Sequence, residues 1–139
     1  MFADFEYQTH KLVESGEPLV PETLCGIHRK LNEEYYGPDM TVDDYLSCEW
    51  ARIPHFYTAF YVYQYATGIA ASTAIAHRIF TEGAPAVADY RKFLTTGGSD
   101  HPIELLRIAG VDMASPKPVL DTIETFRSTL AQLKALLHE

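Results

Sequence analysis

Cysteine and clustered positive charge are both scarce in this sequence of 139 residues. Cys25 and Cys48 are the only cysteines, too few for the disulfide framework of a small secreted domain, so we expect reduced thiols in a cytoplasmic protein. The 11 lysines and arginines are outnumbered by 19 aspartates and glutamates, which gives a net charge of −8 without any basic run. This balance argues against nucleic acid and anionic membranes as partners. The N-terminal stretch MFADFEYQTHK lacks the basic-then-apolar pattern of a signal peptide.

The sequence also lacks strand-like alternation, internal repeats and low-complexity tracts. Hydrophobic residues make up 47% of the chain, enough to bury a core, and prolines and glycines separate the apolar segments. These features predict an all-α fold, a single multi-helix domain over residues 1–139 with one long central Tyr-rich helix. The predicted helices span residues 2–15, 21–36, 42–51, 54–81, 85–94, 102–110 and 116–137.

Charged side chains are absent from residues 53–76, a stretch long enough to resemble a membrane span. We reject that interpretation because the stretch contains four tyrosines, a histidine, a glutamine and several hydroxyl residues, but no leucine. A helix buried on nearly all sides in a non-membrane protein explains the composition better.

The tyrosines in this stretch are regularly spaced. On one helix, Tyr57, Tyr61 and Tyr65 would recur every four residues and share a face, close to His55. Buried phenol hydroxyls need hydrogen-bond partners, and a row of them could donate to negative charge developing on a substrate oxygen. The alternative is a Tyr-rich core helix whose hydroxyls reach water or backbone carbonyls.

Three stretches of the sequence carry motifs whose order along the chain is informative. WARIPHFYTAFYVYQYATGIAAS (residues 50–72) is similar to the tyrosine helix of the oligoendopeptidase F group, which is related to thimet oligopeptidase. MFADFEYQTHKL (1–12) resembles the helix that follows the zinc site in that group, and YRKFLTTGGSDHPIELLRIAGVDMASPKPVLDTIETF (90–126) resembles its C-terminal end. The resemblance covers nearly the whole chain and implies the C-terminal part of such a peptidase, acting on oligopeptides.

The resemblance implies roles for four residues. Tyr57 and Tyr61 would be catalytic and donate hydrogen bonds to the tetrahedral oxyanion while zinc polarises the carbonyl. His55 and Tyr65 would bind substrate. Tyr63 is expected to pack away from the catalytic face.

The zinc-binding motif of the family is missing from the sequence. The only His-Glu pair is His138–Glu139, and no two histidines are four residues apart, as a His-Glu-x-x-His motif requires. For the histidines at 10, 28, 77 and 101, we favour surface or helix-end roles over metal binding. We therefore expect no cofactor in this chain, zinc in the full-length family member, and no peptidase activity from the chain alone.

Two other interpretations remain open: a truncated non-catalytic paralogue or subunit that binds peptides or a partner, and a purely structural oligomerisation domain. Loss of a catalytic half should expose apolar surface at Phe2, at Phe5 and along the tyrosine helix. Since exposed apolar patches drive association, we expect a homo-oligomer, most simply a two-fold dimer.

Overall fold

The computed structural model describes residues 1–137, and all regular secondary structure in that range is helical. The predicted all-α fold is therefore confirmed, while His138 and Glu139 lie outside the described residues. The chain divides into two compact units, Met1–Gln64 and a second that begins at Tyr65. The expectation of one domain over residues 1–139 stays a prediction.

The first unit contains two α-helices followed by two 3₁₀ helices. They are α1 (Phe2–Glu14), α2 (Pro21–Tyr36), the first 3₁₀ helix (Asp44–Arg52) and the second 3₁₀ helix (Pro54–Tyr57). Pro21 starts α2 at a position where its fixed φ suits a helix and its missing N–H costs nothing. Gly37 ends α2 with φ 76°, a left-handed conformation that glycine adopts without strain.

Aromatic side chains form the core of the first unit. Phe5 of α1 is 3% exposed, and its ring lies 5.3 Å from the ring of His28, 5.0 Å from that of Phe56 and 6.4 Å from that of Trp50. One α1 side chain thus contacts α2 and both 3₁₀ helices. Leu31 is buried in the same unit at 1% exposure.

The second unit is built from most of α3 and from three further helices. The elements are α3 (Tyr63–Glu82), α4 (Ala84–Thr96), α5 (Pro102–Ile108) and α6 (Lys117–Leu137). Its buried apolar residues are small, which lets helix backbones approach closely: Ala70, Ala71, Ala86, Ala109 and Val111.

The predicted long helix over residues 54–81 is wrong in its first third. Residues 54–57 form a 3₁₀ turn, Phe60 adopts φ 56°, and the α-helix begins only at Tyr63. Tyr57, Tyr61 and Tyr65 therefore do not share one helix face. The segment before Tyr63 is rich in aromatic and β-branched residues, which form helices poorly, and a buried carboxylate binds one of its backbone N–H groups.

The structure also bears on the expected exposure of Phe5 and on the rejected membrane span. The predicted exposure of Phe5 is wrong, since that ring lies in the core of the first unit. No helix among the described residues combines the length and the apolar character needed to cross a bilayer.

Candidate functional site

The turn over residues 58–62, which we call the site turn, brings His55 and Tyr61 together. Their ring centroids are 5.6 Å apart, and the ring planes are inclined by 32°. The Tyr61 backbone N–H donates to the Thr58 carbonyl at 3.2 Å, which closes the turn between the two rings. The expected proximity of an imidazole and a phenol is thus present, although a turn rather than a helix face creates it.

Tyr57 has a different environment from Tyr61. Its hydroxyl donates to the backbone carbonyl of Ala51 at 2.9 Å, and its side chain is 74% exposed. A phenol has one proton to donate, and here that proton is bound to the end of the first 3₁₀ helix. Tyr57 therefore braces the second 3₁₀ helix against the first in this conformation.

Tyr63 and Tyr65 lie in the first turn of α3. Residues two positions apart on an α-helix are rotated by about 200° about the helix axis. The side chains of Tyr63 and Tyr65 therefore leave the helix on nearly opposite sides. Tyr65 belongs to the second compact unit, whereas His55, Tyr57 and Tyr61 belong to the first.

Glu6 of α1 holds the turn in place. Its side chain is buried at 4% exposure, and its Oε1 accepts the backbone N–H of Phe60 at 2.7 Å. The His10 ring packs 4.3 Å from the Phe60 ring, and His10 Nδ1 donates to the Glu6 carbonyl at 2.8 Å. These contacts stabilise a residue with positive φ, a conformation that a non-glycine residue adopts only when its surroundings fix it.

The contact of Glu6 with the turn was not predicted from the sequence, although the position of Glu6 in α1 indicates a buried carboxylate. Glu6 follows Phe2 by four residues and precedes Thr9 by three, so it lies on the apolar face of α1. A carboxylate at a core position needs a hydrogen-bond partner, which points to a specific contact.

An apolar cavity of about 300 Å³ lies in the first unit beside the site turn. Its walls come from α1, α2, both 3₁₀ helices and the loop after α1: Phe5, Thr9, His10, Val13, Leu19, Leu24, Trp50, Phe56 and Tyr57. The second unit has a larger and more polar open groove of about 900 Å³ between α3 and α6. Among residues 1–137, no group of three or more histidines, cysteines or acidic residues is arranged to hold a metal ion.

The sequence of the chain is similar to those of known peptidases. The model of peptidase family M3 matches residues 1–125. Oligopeptidase PepF of Bacillus subtilis is 46% identical over 137 residues, which cover 99% of this chain and 20% of that protein. The oligoendopeptidase F homolog of Borreliella burgdorferi is 44% identical over 138 residues, covering 99% of this chain and 23% of that protein.

Two crystal structures also resemble the chain. Oligoendopeptidase-F from Enterococcus faecium matches with a TM-score of 0.87 at 40% identity, over 98% of this chain and 26% of that one. A putative peptidase from Chlamydophila abortus matches with a TM-score of 0.82 at 41% identity, over 97% of this chain and 23% of that one. The chain spans about a fifth to a quarter of the length of these relatives.

Proposed function

This chain belongs to peptidase family M3, and we propose that it is the C-terminal helical part of an oligoendopeptidase F-like zinc peptidase. In that role it supplies substrate-binding and oxyanion-stabilising groups for the hydrolysis of peptide bonds in oligopeptides. The observation that most supports this role is the pairing of His55 with Tyr61 in a turn fixed by Glu6. A buried carboxylate that holds a turn at positive φ preorganises the two rings next to it.

Tyr61 is the hydroxyl donor that the geometry favours. Peptide hydrolysis passes through a tetrahedral species whose oxygen gains negative charge, and a phenol keeps its proton at neutral pH. A hydrogen bond from Tyr61 to that oxygen strengthens as the charge develops, so it lowers the barrier more than it tightens substrate binding. The neighbouring His55 orients the phenol ring and binds the substrate.

Tyr57 and Tyr65 also have roles in this proposal. Tyr57 donates to the Ala51 carbonyl in this conformation, so it can donate to a substrate only after it releases that carbonyl. Tyr65 binds peptide backbone from the start of α3.

Zinc does not fit the residues described here, because they form no group that could hold a metal ion. Zinc bound elsewhere in a full-length family member would supply Lewis-acid polarisation of the scissile carbonyl. We therefore expect the ligands outside residues 1–137 and the isolated chain to be inactive. Its own part in the reaction is confined to His55 and the tyrosines.

A chimeric peptidase tests the proposal. In the chimera, this chain replaces the part of the Bacillus subtilis PepF that it matches at 46% identity. Tyr61→Phe should lower kcat about 10²–10³-fold with a smaller change in KM, as expected for a lost oxyanion donor. His55→Ala should lower kcat/KM by a comparable order. Tyr57→Phe should lower kcat over the same range.

Tyr63→Phe is the matched control, since Tyr63 also lies in the tyrosine segment but has no assigned role. It should leave kcat within a few-fold of the unsubstituted chimera. Equal losses in Tyr63→Phe and Tyr61→Phe would contradict the assignment of Tyr61. If none of the tyrosine changes altered kcat, the segment would serve packing alone.

The apolar cavity favours a second candidate, a non-catalytic module that binds peptides. Its volume of about 300 Å³ and its aromatic walls suit one or two apolar side chains. Isothermal titration of oligopeptides into the isolated chain distinguishes the two candidates. If the isolated chain binds oligopeptides with micromolar affinity and Leu24→Trp abolishes this binding, the peptide-binding module is favoured. If the chain is part of a peptidase, we expect tight peptide binding only in the chimera.

We also propose self-association of the isolated chain, most simply as a two-fold dimer. Several large apolar side chains of the second unit are exposed: Phe80 (88%), Leu136 (77%) and Phe126 (67%). Such surface favours contact with a second copy. Light scattering that shows a monomer at high concentration would contradict this proposal.

A further inference from the structure

The two cysteines of the chain lie side by side. Cys25 is on α2 and Cys48 is on the first 3₁₀ helix, 23 positions apart in sequence, and their Sγ atoms are 3.0 Å apart. Both are free thiols. A disulfide bond is about 2.05 Å long, so the sulfurs would have to approach by roughly 1 Å to bond. A displacement of that size is within the reach of side-chain rotation.

Two contacts near the cysteines hold α2 against the first 3₁₀ helix. His28 Nδ1 donates to the Leu46 carbonyl at 3.0 Å, and Arg29 Nη1 donates to Asp44 Oδ1 at 2.6 Å. His28 and Arg29 follow Cys25 by three and four residues, so all three lie on the same side of α2. The packing of α2 against the first 3₁₀ helix therefore keeps the two thiols close together.

The two thiols differ in exposure and acidity. Cys48 is exposed, and the hydrogen bonds it receives from Cys25 and from Ser47 lower its pKa. Cys25 is half-buried, and its hydrogen bond to Cys48 raises its pKa, partly offset by the Trp50 indole N–H that donates to its sulfur at 3.5 Å. Cys48 is thus the better nucleophile, and Cys25 is positioned to react second.

We propose that Cys25 and Cys48 form a reversible intramolecular disulfide when the protein meets hydrogen peroxide. The Cys48 thiolate attacks one peroxide oxygen, the O–O bond breaks, and the hydroxide that leaves takes up a proton to become water. Cys48 is then a sulfenic acid. The Cys25 sulfur attacks the Cys48 sulfur, the S–O bond breaks, and water leaves with the Cys25 proton. Two thiols are oxidised, one peroxide is reduced to two waters, and a dithiol such as dithiothreitol reverses the bond.

The proposed bond lies close to the site turn. Ala51, whose carbonyl accepts the Tyr57 hydroxyl, is three residues after Cys48 on the same 3₁₀ helix. The disulfide would link that 3₁₀ helix covalently to α2. It would thereby restrain Ala51, which accepts a hydrogen bond from the segment that carries His55. Closing a loop of this length should raise the folding equilibrium constant of the first unit about 30-fold or more.

The test uses the full chain, reduced with dithiothreitol, freed of it by gel filtration, and treated with a small molar excess of hydrogen peroxide. We expect the intact mass to fall by two hydrogens and both thiols to disappear. Non-reducing peptide mapping should show a Cys25–Cys48 cross-link that dithiothreitol removes. Trp50 is the only tryptophan and contacts Cys25, so its fluorescence should follow the reaction.

Two serine variants test the order of the steps. In Cys25→Ser, Cys48 should accumulate as a sulfenic acid that dimedone traps, whereas in Cys48→Ser the remaining Cys25 should stay mostly reduced at the same peroxide dose. Equal reactivity in the two variants would overturn the assigned order. Disulfide-linked dimers, or sulfinic acid at Cys48 without the cross-link in the unsubstituted chain, would overturn the proposal itself, even if a variant failed to fold.

Discussion

The two compact units bury different kinds of residue. The first buries large aromatic and aliphatic side chains together with four polar ones: Glu6, Thr9, His28 and Asn32. The second buries four alanines, one valine and one proline, Pro118. The polar groups of the first unit hold an irregular turn, whereas the small residues of the second allow regular helices to pack closely. The irregular turn thus lies in the unit that buries polar groups, and the second unit consists of regular helices.

In the second unit, Arg78 links separate segments by hydrogen bonds, as the buried polar groups do in the first unit. It donates to both carboxylate oxygens of Glu82 on α3, to Asp89 on α4 and to the Ala109 carbonyl after α5. Its side chain is 22% exposed. A single guanidinium thereby connects three parts of a unit whose apolar core is thin.

Truncation of Phe5 should give the largest effect and most clearly separate core from surface. Phe5→Ala removes a ring that contacts His28, Trp50 and Phe56, and we expect the free energy of unfolding of the first unit to fall by about 3–5 kcal/mol. Urea unfolding followed by Trp50 fluorescence measures it. Phe80→Ala is the control, since Phe80 is 88% exposed and its loss should change stability by about 0.5 kcal/mol or less.

Gly110→Ala should be the most damaging small change in the second unit. Gly110 has φ 76°, and a Cβ there would lie 1.8 Å from Arg78 Nη1. Left-handed strain and displacement of the guanidinium from the Ala109 carbonyl should together cost about 2–4 kcal/mol, measured by circular dichroism during urea unfolding. Gly97→Ala is matched in φ, at 61°, but its Cβ would meet nothing within 4 Å. A cost at Gly110 no larger than the cost at Gly97 would refute the role of Arg78.

The pH dependence of stability should differ between the units because of His28. His28 is fully buried and its Nδ1–H donates to the Leu46 carbonyl, while Nε2 has no hydrogen-bond partner among the described residues. Protonation would place an N–H at Nε2 with nothing to accept it. Burial accordingly lowers the pKa of His28 below its ordinary value of about 6.5.

The sign of the effect follows from proton binding. Below about pH 6.5 the unfolded chain binds a proton at His28 that the folded chain does not, so stability falls as the pH falls towards the lowered folded-state pKa. Between pH 7 and pH 5 we therefore expect the free energy of unfolding, followed by Trp50 fluorescence, to decrease. His28→Gln should remove this loss, whereas the exposed His101→Gln should leave it unchanged. An identical pH dependence in wild type and His28→Gln would show that His28 is not its source.

The sequence predicts most helices well because their boundaries depend on local signals. Pro21 and Gly37 limit α2 to the predicted 21–36, and Pro102 starts α5 where expected. The final helix, predicted over 116–137, is also found, as α6. Each of these signals acts within a few residues, so the sequence alone is sufficient.

The site turn was not predictable in the same way. The hydrogen bond from Phe60 to Glu6 joins residues 54 positions apart, and it binds an N–H that a continuing α-helix would have used. The resemblance to a known family singled out His55 and Tyr61, but spacing alone placed them on a helix face that does not exist. Tertiary contacts overrode local periodicity, and those contacts depend on residues far away in the sequence.

The smallest effect is expected at Arg29, and it sharpens the contrast with Arg78. Each arginine pairs with a glutamate four residues later and with an aspartate on another element: Arg29 with Glu33 and Asp44, Arg78 with Glu82 and Asp89. The Arg29 side chain is 42% exposed and the Asp44 side chain 95%, so water and salt screen these pairs. Arg29→Met keeps the aliphatic stem and should cost about 0.5 kcal/mol or less, with a smaller cost in 1 M salt.

Arg78→Met should cost more, about 2 kcal/mol, because it also removes the hydrogen bond to the Ala109 carbonyl from a less exposed site. The two substitutions are chemically identical, so the difference in their unfolding free energies isolates the effect of burial and of that carbonyl contact. Equally small costs would mean that the stability of the second unit does not depend on Arg78. A large, salt-insensitive cost at Arg29 would mean instead that the pair with Asp44 contributes as much as His28 to holding α2 against the first 3₁₀ helix. In that case Arg29→Met should also slow formation of the Cys25–Cys48 cross-link, because the same packing keeps the two sulfurs together.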